Sequence, residues 1–361
     1  SNQFGSAGEP AKGDVMQKIK EIYATGWPPV PTMLTMDPPW HTRYRNTVAA
    51  YFTPRKIAEL RPLIEDYVDS LLDKIFENPN RTVEWVGEFA VPLPVIAIAT
   101  ILGVSPENMA DFKRWSDDNI STIGSSVTDE RRISATQGIV EMQHYFAERL
   151  EARRGNPQGD FLSDLVNAEV DNGEGGKRTL TMPEMLSIIS QLLVAGNETT
   201  TNTLAEGMLY FGQDMSVWDK VRADRSLIAP AVEEMLRLAS PSGGMFRVVT
   251  KDGVEIDGCP VNKGERVMVM YSAANRDPKV WGDDPDRFDP TRSNLKEHLA
   301  FGKGIHFCIG APLARLELQI AFEKLADRVK SWEFAESNDF HYHPSFMLRG
   351  LQKLDLRLTL A

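Results

Sequence analysis

The stretch Phe301-Gly302-Lys303-Gly304-Ile305-His306-Phe307-Cys308-Ile309-Gly310 sets three glycines around one cysteine. A helical pattern follows it, from Ala311-Pro312 through Leu325. Glycine allows tight turns and lets the main chain approach a flat ligand closely. The cysteine stands just ahead of a helix N-terminus, where unpaired N–H groups and the helix dipole favour a thiolate over a thiol. Other readings fit less well. A phosphate loop would need Gly-x-x-x-x-Gly-Lys-Ser/Thr, and that spacing is absent. A zinc site needs about four ligands, whereas His306 and Cys308 supply only two. A buried inert thiol is the ordinary reading of a lone cysteine, and the flanking pattern argues against it. Cys259, in Asp257-Gly258-Cys259-Pro260, has no such context and reads as inert.

Upstream, helical periodicity dominates. Ile57, Leu60, Ile64, Val68, Leu71, Leu72 and Ile75 recur at spacings of three and four and make one apolar face. Further helices are expected near 91–102, 107–121, 130–154 and 160–170, with residues 171–177 as a flexible connection. The Gly- and Pro-rich residues 1–40 read as a loop around one short helix. Thr181 and Glu184 form a capping-box signature with Pro183 in the first turn, so a long helix is predicted from there to about Phe211. Within it lies Ala195-Gly196-Asn197-Glu198-Thr199-Thr200, a carboxylate and hydroxyls beside a glycine. Thr and Gly weaken helices, and Ala-Gly leaves room for a small molecule. Strand signals come late. Val248-Val249-Thr250 and Val254-Glu255-Ile256 flank Asp252-Gly253 as a predicted hairpin. Arg266 to Tyr271 and the alternating Leu354, Leu356, Leu358 and Leu360 are further strands. The fold class is mainly α with small β-sheets, and no βαβ rhythm suggests a nucleotide-binding fold.

The cysteine stretch closely resembles the haem-binding signature of the cytochromes P-450, Phe-x-x-Gly-x-His-x-Cys-x-Gly, at every fixed position. The resemblance runs from about residue 30 to 361 and implies that fold, with haem b between a long distal helix and the helix after the cysteine loop. It implies that Cys308 is the proximal ligand of the haem iron, the one metal ligand, with Phe301, Gly302, His306 and Gly310 shaping its loop. An axial thiolate favours O–O cleavage. The segment from Ala195 matches the pattern (Ala/Gly)-Gly-x-(Asp/Glu)-Thr, so Ala195 and Gly196 are expected over the distal face. Thr199 is then expected to hydrogen-bond dioxygen, and Glu198 to relay protons. His41 and Arg45, at i and i+4 after Asp37-Pro38-Pro39, are nominated for the propionates, with His306 and with Arg247, which opens the strand after Pro241. Glu234 and Arg237 match the family's Glu-x-x-Arg. With Arg292 as a third member, and with 274–278 fitting the family pattern upstream, they are read as structural.

The resemblance implies a monooxygenase that inserts one oxygen atom from dioxygen into a hydrophobic small molecule, by hydroxylation or epoxidation. A peroxide-using peroxygenase and a non-catalytic haem carrier or sensor are the alternatives, and the Glu198-Thr199 pair speaks against both. Electrons are expected from a separate ferredoxin-type donor with its reductase, docking on the cysteine side near Lys303, Arg315 and Lys296. Residues 24–33, 188–195, 242–246 and 345–348 are expected to line the pocket, with the small Ser242-Gly243-Gly244 as headroom and Met245, Phe246, Phe346 and Met347 as apolar walls. A single domain is expected over 1–361. Family members usually carry a further helix and the first strands ahead of this segment, so Ser1 is expected to stand at a trimmed start.

The net charge of −11 argues against a nucleic-acid binder. The longest apolar run, 91–104, is broken by prolines and a glycine and falls short of the roughly 20 residues a membrane span needs. Ser1 to Ala11 show no signal-peptide core. Two cysteines cannot build a disulfide framework. A cytoplasmic protein, not bound to membrane, is expected.

Overall fold

The computed structural model describes residues 13–121, 127–345 and 347–361. Helices α1 (Asp14–Tyr23), α2 (Trp40–Ala49), α3 (Pro54–Ala58) and α4 (Arg61–Glu77) lead to strand β1 (Thr82–Glu84). Next come α5 (Pro92–Ile101), α6 (Met109–Ser121), α7 (Asp129–Arg153), α8 (Phe161–Asn167) and the pair β2 (Glu169–Asp171) and β3 (Lys177–Thr179). Then follow α9 (Met182–Gln213), α10 (Met215–Ala223), α11 (Ile228–Ala239), β4 (Gly244–Val248), β5 (Val254–Ile256), β6 (Cys259–Val261) and β7 (Arg266–Met270). The short α12 (Tyr271–Ala274) and α13 (Pro278–Trp281), the helix α14 (Ala311–Arg328), and strands β8 (Val329–Phe334) and β9 (Asp355–Leu360) complete the chain.

The 32-residue α9 is about 48 Å long at 1.5 Å per residue and forms the axis of the core. Its far half is buried on nearly every side, from Leu204 to Leu209 and again at Phe211. Gly207 shows why that half packs so closely. An added Cβ there would stand 2.6 Å from Phe322 of α14 and 2.8 Å from Met235 of α11. At its start, the Glu184 carboxylate accepts the Thr181 N–H at 2.7 Å, which fixes the capping turn. The same carboxylate takes Arg178 at 2.7 and 2.6 Å and the Tyr44 hydroxyl at 2.6 Å, tying α2 and β3 to the helix.

The sheets are small and antiparallel. β9 lies between β1 and β8, with Val83 opposite Leu356 and Leu358 opposite Trp332. Leu356 and Leu358 point inward, as their alternation requires. β4 pairs with β7, Phe246 opposite Met268.

Several expectations need correction. The predicted hairpin at Asp252-Gly253 does not form. β5 turns instead on Asp257-Gly258, whose φ values of 49° and 75° suit a tight two-residue turn, and pairs with β6. The 160–170 helix stops at Asn167, because Glu169–Asp171 pairs with Lys177–Thr179. Residues 171–177 are therefore largely the tip of a hairpin and not a free connection. The apolar face from Ile57 to Ile75 is split between α3 and α4, with Pro62 in the first turn of the second helix.

Glu234 and Arg237 are fully buried. The Arg237 guanidinium donates to the Glu234 carboxylate at 2.6 and 2.8 Å and to the Asn275 and Pro285 carbonyls at 2.7 Å each. Arg292 adds a bond to Glu234 at 3.1 Å. With so many of its oxygens and N–H groups met, the trio pins the stretch from Asn275 to Arg292 against α11. A buried pair of this kind survives only because both charges are satisfied.

Burial works to raise the Glu184 carboxyl, but hydrogen bonds from Arg178, Tyr44 and Thr181 hold it at about 2. The stability it contributes is therefore complete above its ordinary value of 4.5 and is lost as pH falls toward about 2. Glu184→Gln is expected to cost on the order of 2 kcal/mol at pH 7. That difference should shrink steadily in urea or thermal melts taken from pH 5 down to pH 2.5.

Candidate haem-thiolate site

The cysteine loop is built on two glycines in the left-handed region, Gly302 at φ 67° and Gly304 at φ 78°. They let the chain fold back so that the Cys308 N–H donates to the Phe301 carbonyl at 2.9 Å. Cys308 is half-buried at the start of α14. Burial raises its thiol above the ordinary range. The N–H groups of Gly310 and Ala311 and the charges of Arg45 and Arg315 pull the other way. Removing water thus opposes the thiolate, while the helix start and two arginines favour it.

Beside this loop four nominated side chains converge. His41 and Arg45 share one face of α2; His41 is buried and neither ring nitrogen has a hydrogen-bond partner of good geometry. Its ring centroid is 4.4 Å from that of His306. Arg45 Nη2 donates to the Phe307 carbonyl at 2.8 Å, bracing the loop across α2. Arg247 stands near the end of β4, not at its opening, close enough to act on His306. Burial lowers both histidines, and the positive groups around them lower them further, Arg45 and His306 acting on His41 and Arg247 on His306. Asp37 opposes that repulsion at both, and backbone contacts with Ile305 and Met33 also raise His41 and His306. Cationic and hydrogen-bonding groups gathered with two orphaned nitrogens suit a group that carries carboxylates. With a sulfur below, the donor set fits haem.

In the middle of α9 stand Ala195 and the residues after it. Thr199 Oγ1 donates to the Ala195 carbonyl at 3.2 Å, the back-bond available to a mid-helix hydroxyl. Glu198 is raised by burial and by Asp117, against His343 and a 3.5 Å bond from Asn202 Nδ2. Gly196 does not provide the expected open space. Its bare face lies 3.4 to 3.5 Å, measured from an ideal Cβ, from Ile98 of α5, so its smallness serves helix packing. Gly244 likewise is not headroom, because a Cβ there would stand 2.5 Å from the Val269 carbonyl across the strand pair.

The other segments expected to line the pocket meet in pairs. The Val30 N–H donates to Ser187 Oγ at 3.0 Å, and Gln191 of α9 bonds Thr32, so the loop before α2 is fastened to the long helix. The Gly243 N–H donates to the Met347 carbonyl at 2.8 Å. Phe346 lies outside the described residues. Arg315 departs from expectation. It is bound twice to Glu233, at 2.6 and 2.8 Å, and stacks over Phe301, so it is partnered within the chain. His298 joins the same Glu233 at 3.0 Å. Sequence reading missed Glu233, Asn202 and His343; for Asn202 the signal was its spacing of four from Glu198.

A cytochrome P450 family model matches residues 17–331. PikC, a cytochrome P450 monooxygenase of Streptomyces venezuelae, is 37% identical over 90% of this chain and 75% of its own length. A steroid C26-monooxygenase of Mycobacterium tuberculosis is 34% identical over 92% of this chain and 87% of its own. The structure of the polyketide synthase cytochrome P450 PksS of Bacillus subtilis superposes with a TM-score of 0.82 at 35% identity, covering 96% of this chain and 85% of that one. The chain belongs to the cytochrome P450 family. It is a haem-thiolate monooxygenase that uses haem b, and its fold is the mainly helical one the cysteine stretch implied. No helix among the described residues is long and apolar enough to cross a membrane.

A carboxyl raised by burial stabilises the fold less as pH rises past its ordinary value, since the charged form is disfavoured. Glu198→Gln is therefore expected to melt above the wild type at neutral pH. The gain should vanish below about pH 4, which thermal melts at several pH values will read.

Proposed function

We propose that Cys308 is the proximal ligand of the haem iron and that His41, Arg45, Arg247 and His306 hold the propionates. Phe301, Gly302 and Gly310 shape the loop beneath the ring, and Ala195 lies against its distal face. When bound, haem supplies the iron that activates dioxygen and passes one oxygen atom to the substrate. The chain's own residues do the rest. Arg45 braces the cysteine loop through the Phe307 carbonyl, and the N–H groups of Gly310 and Ala311 steady the sulfur's negative charge. Glu198, kept readily protonated by its burial, gives protons to the distal side, and the Thr199 hydroxyl orients the group that receives them. The observation that carries this reading is the unpaired, buried His41 imidazole facing His306 and Arg45 beside the cysteine loop.

The substrate is a hydrophobic molecule of steroid or polyketide size. Support comes from the apolar residues Met245 and Ile188, expected to line the pocket, and from the relatives named for those classes. Electrons come from a ferredoxin-type protein docking over the cysteine loop, with Lys303 and Lys296 as exposed cations. Arg315, bound to Glu233, is left out of that surface. Two unlinked cysteines accord with a cytoplasmic setting.

Reduced under carbon monoxide, the holoprotein is expected to show the strongly red-shifted Soret band of thiolate ligation, and Cys308→Ser to lose it. An unchanged spectrum in that variant overturns the ligand assignment. Steroids and macrolide-like polyketides should shift the ferric spin state of the wild type. Glu198→Gln should keep that shift while lowering turnover about 100-fold, the scale of one lost general acid.

A further inference from the structure

Glu198, Asn202, Glu206 and Tyr210 recur every four residues along α9 and so form one polar stripe up the helix. A turn near the end of the chain covers it. There the His343 N–H donates to the Gly350 carbonyl at 3.0 Å, the Gln352 N–H to the His341 carbonyl at 2.9 Å, and Tyr342 bridges Leu351. Two points fasten this turn to the stripe. Arg349 Nη1 donates to the buried Glu206 at 2.6 Å. Gly350 lies so close to Asn202 that a Cβ would come within 1.9 Å of the amide oxygen. Asn202 in turn reaches Glu198 at 3.5 Å. His343, bonded through its backbone to Gly350, is thereby held near the stripe, exposed, where its charge acts on Glu198.

Few charged groups act on Glu198. His343 from this turn favours its carboxylate, and Asp117 from α6 opposes it. Asp117 is already paired with Lys113 at 2.9 Å, and Glu206, further along, is engaged by Arg349. The half-buried Glu198 carboxyl, which must be recharged with protons, thus has the exposed His343 imidazole among the charged groups that act on it. His341, two residues earlier, makes the contrast: it is paired with Asp339 at 2.7 Å.

We propose that His343 supplies protons from solvent to Glu198, held in place for this by the Arg349–Glu206 and Gly350–Asn202 contacts. The imidazolium gives one proton to the Glu198 carboxylate, along an intervening water. A neutral imidazole and a carboxyl result, and a hydronium ion or buffer acid in solvent returns the proton to the imidazole. No electron moves. His343 acts through Glu198 and is a positioning residue in that sense. The proposal rests on the proton-handling role assigned to Glu198 above.

The test uses the holoenzyme and three variants: His343→Gln, His341→Gln and Glu198→Gln. The infrared carboxyl band that disappears in Glu198→Gln identifies the protonated group, and its shift after rapid transfer into D2O times proton access from solvent. His343→Gln is expected to slow that exchange about 10-fold, to raise the solvent isotope effect on turnover and to lower product formed per electron. His341→Gln should match the wild type. Exchange and isotope effect at wild-type values in His343→Gln would overturn the proposal, as would equal slowing in His341→Gln or the lack of a band assignable to Glu198. Failure of the haem-thiolate reading is separate: it appears as loss of the Cys308-dependent spectrum, which His343→Gln leaves intact.

Discussion

Charge withdrawn from water has to be met by fixed partners, and this constraint organises the whole molecule. The sulfur of Cys308 feels it most directly. Burial alone drives the thiol toward its neutral form, and only the start of α14, with two arginines nearby, works against that. Neither arginine is loose. Arg45 is bonded to the Phe307 carbonyl, and Arg315 is clamped by Glu233 and stacked on Phe301. Glu233 must also stay charged to hold Arg315. Burial works against it, yet Arg315 and His298 keep its carboxyl at about 2. The electrostatics of the cysteine thus extend through α14 to α11, well beyond the glycine loop.

The long helix meets the opposite demand on its other side. Its far half is sealed into the core by contacts as tight as Gly207 against Phe322 and Met235. Its middle carries Glu198, whose carboxyl is raised because little compensates its burial. The Glu234–Arg237 pair, more deeply buried, is satisfied by several bonds. Complete satisfaction makes a brace, and incomplete satisfaction leaves a group ready to exchange a proton. The two ends of this scale lie in one protein.

How much of this the sequence disclosed depended on whether the cause was local. The cysteine loop, the capping turn at Thr181 and Glu184, and the alternation through Leu354 to Leu360 follow from backbone rules a few residues long, and all three stand in the structure. The Asp252-Gly253 hairpin failed because β4 found β7 as a partner and β5 found β6, a choice made by strands that no local signal ranks. Gly196 and Gly244 were read as open space. Each is small because another element presses against it, Ile98 in one case and the Val269 carbonyl in the other. Arg315 looked like a free surface cation until α11 brought Glu233 against it. Residue type was legible throughout, and the identity of the neighbour was not.

The contact between Gly350 and Asn202 has a consequence for how such a molecule diversifies. With no room for even a methyl group between them, the covering turn cannot slide along α9 without breaking the register that also sets Arg349 on Glu206. New ligand preferences must then arise by exchanging side chains on a stationary frame. Insertions or shifts of the backbone at that point would disturb Asn202, and Glu198 beside it, at the same time as the turn.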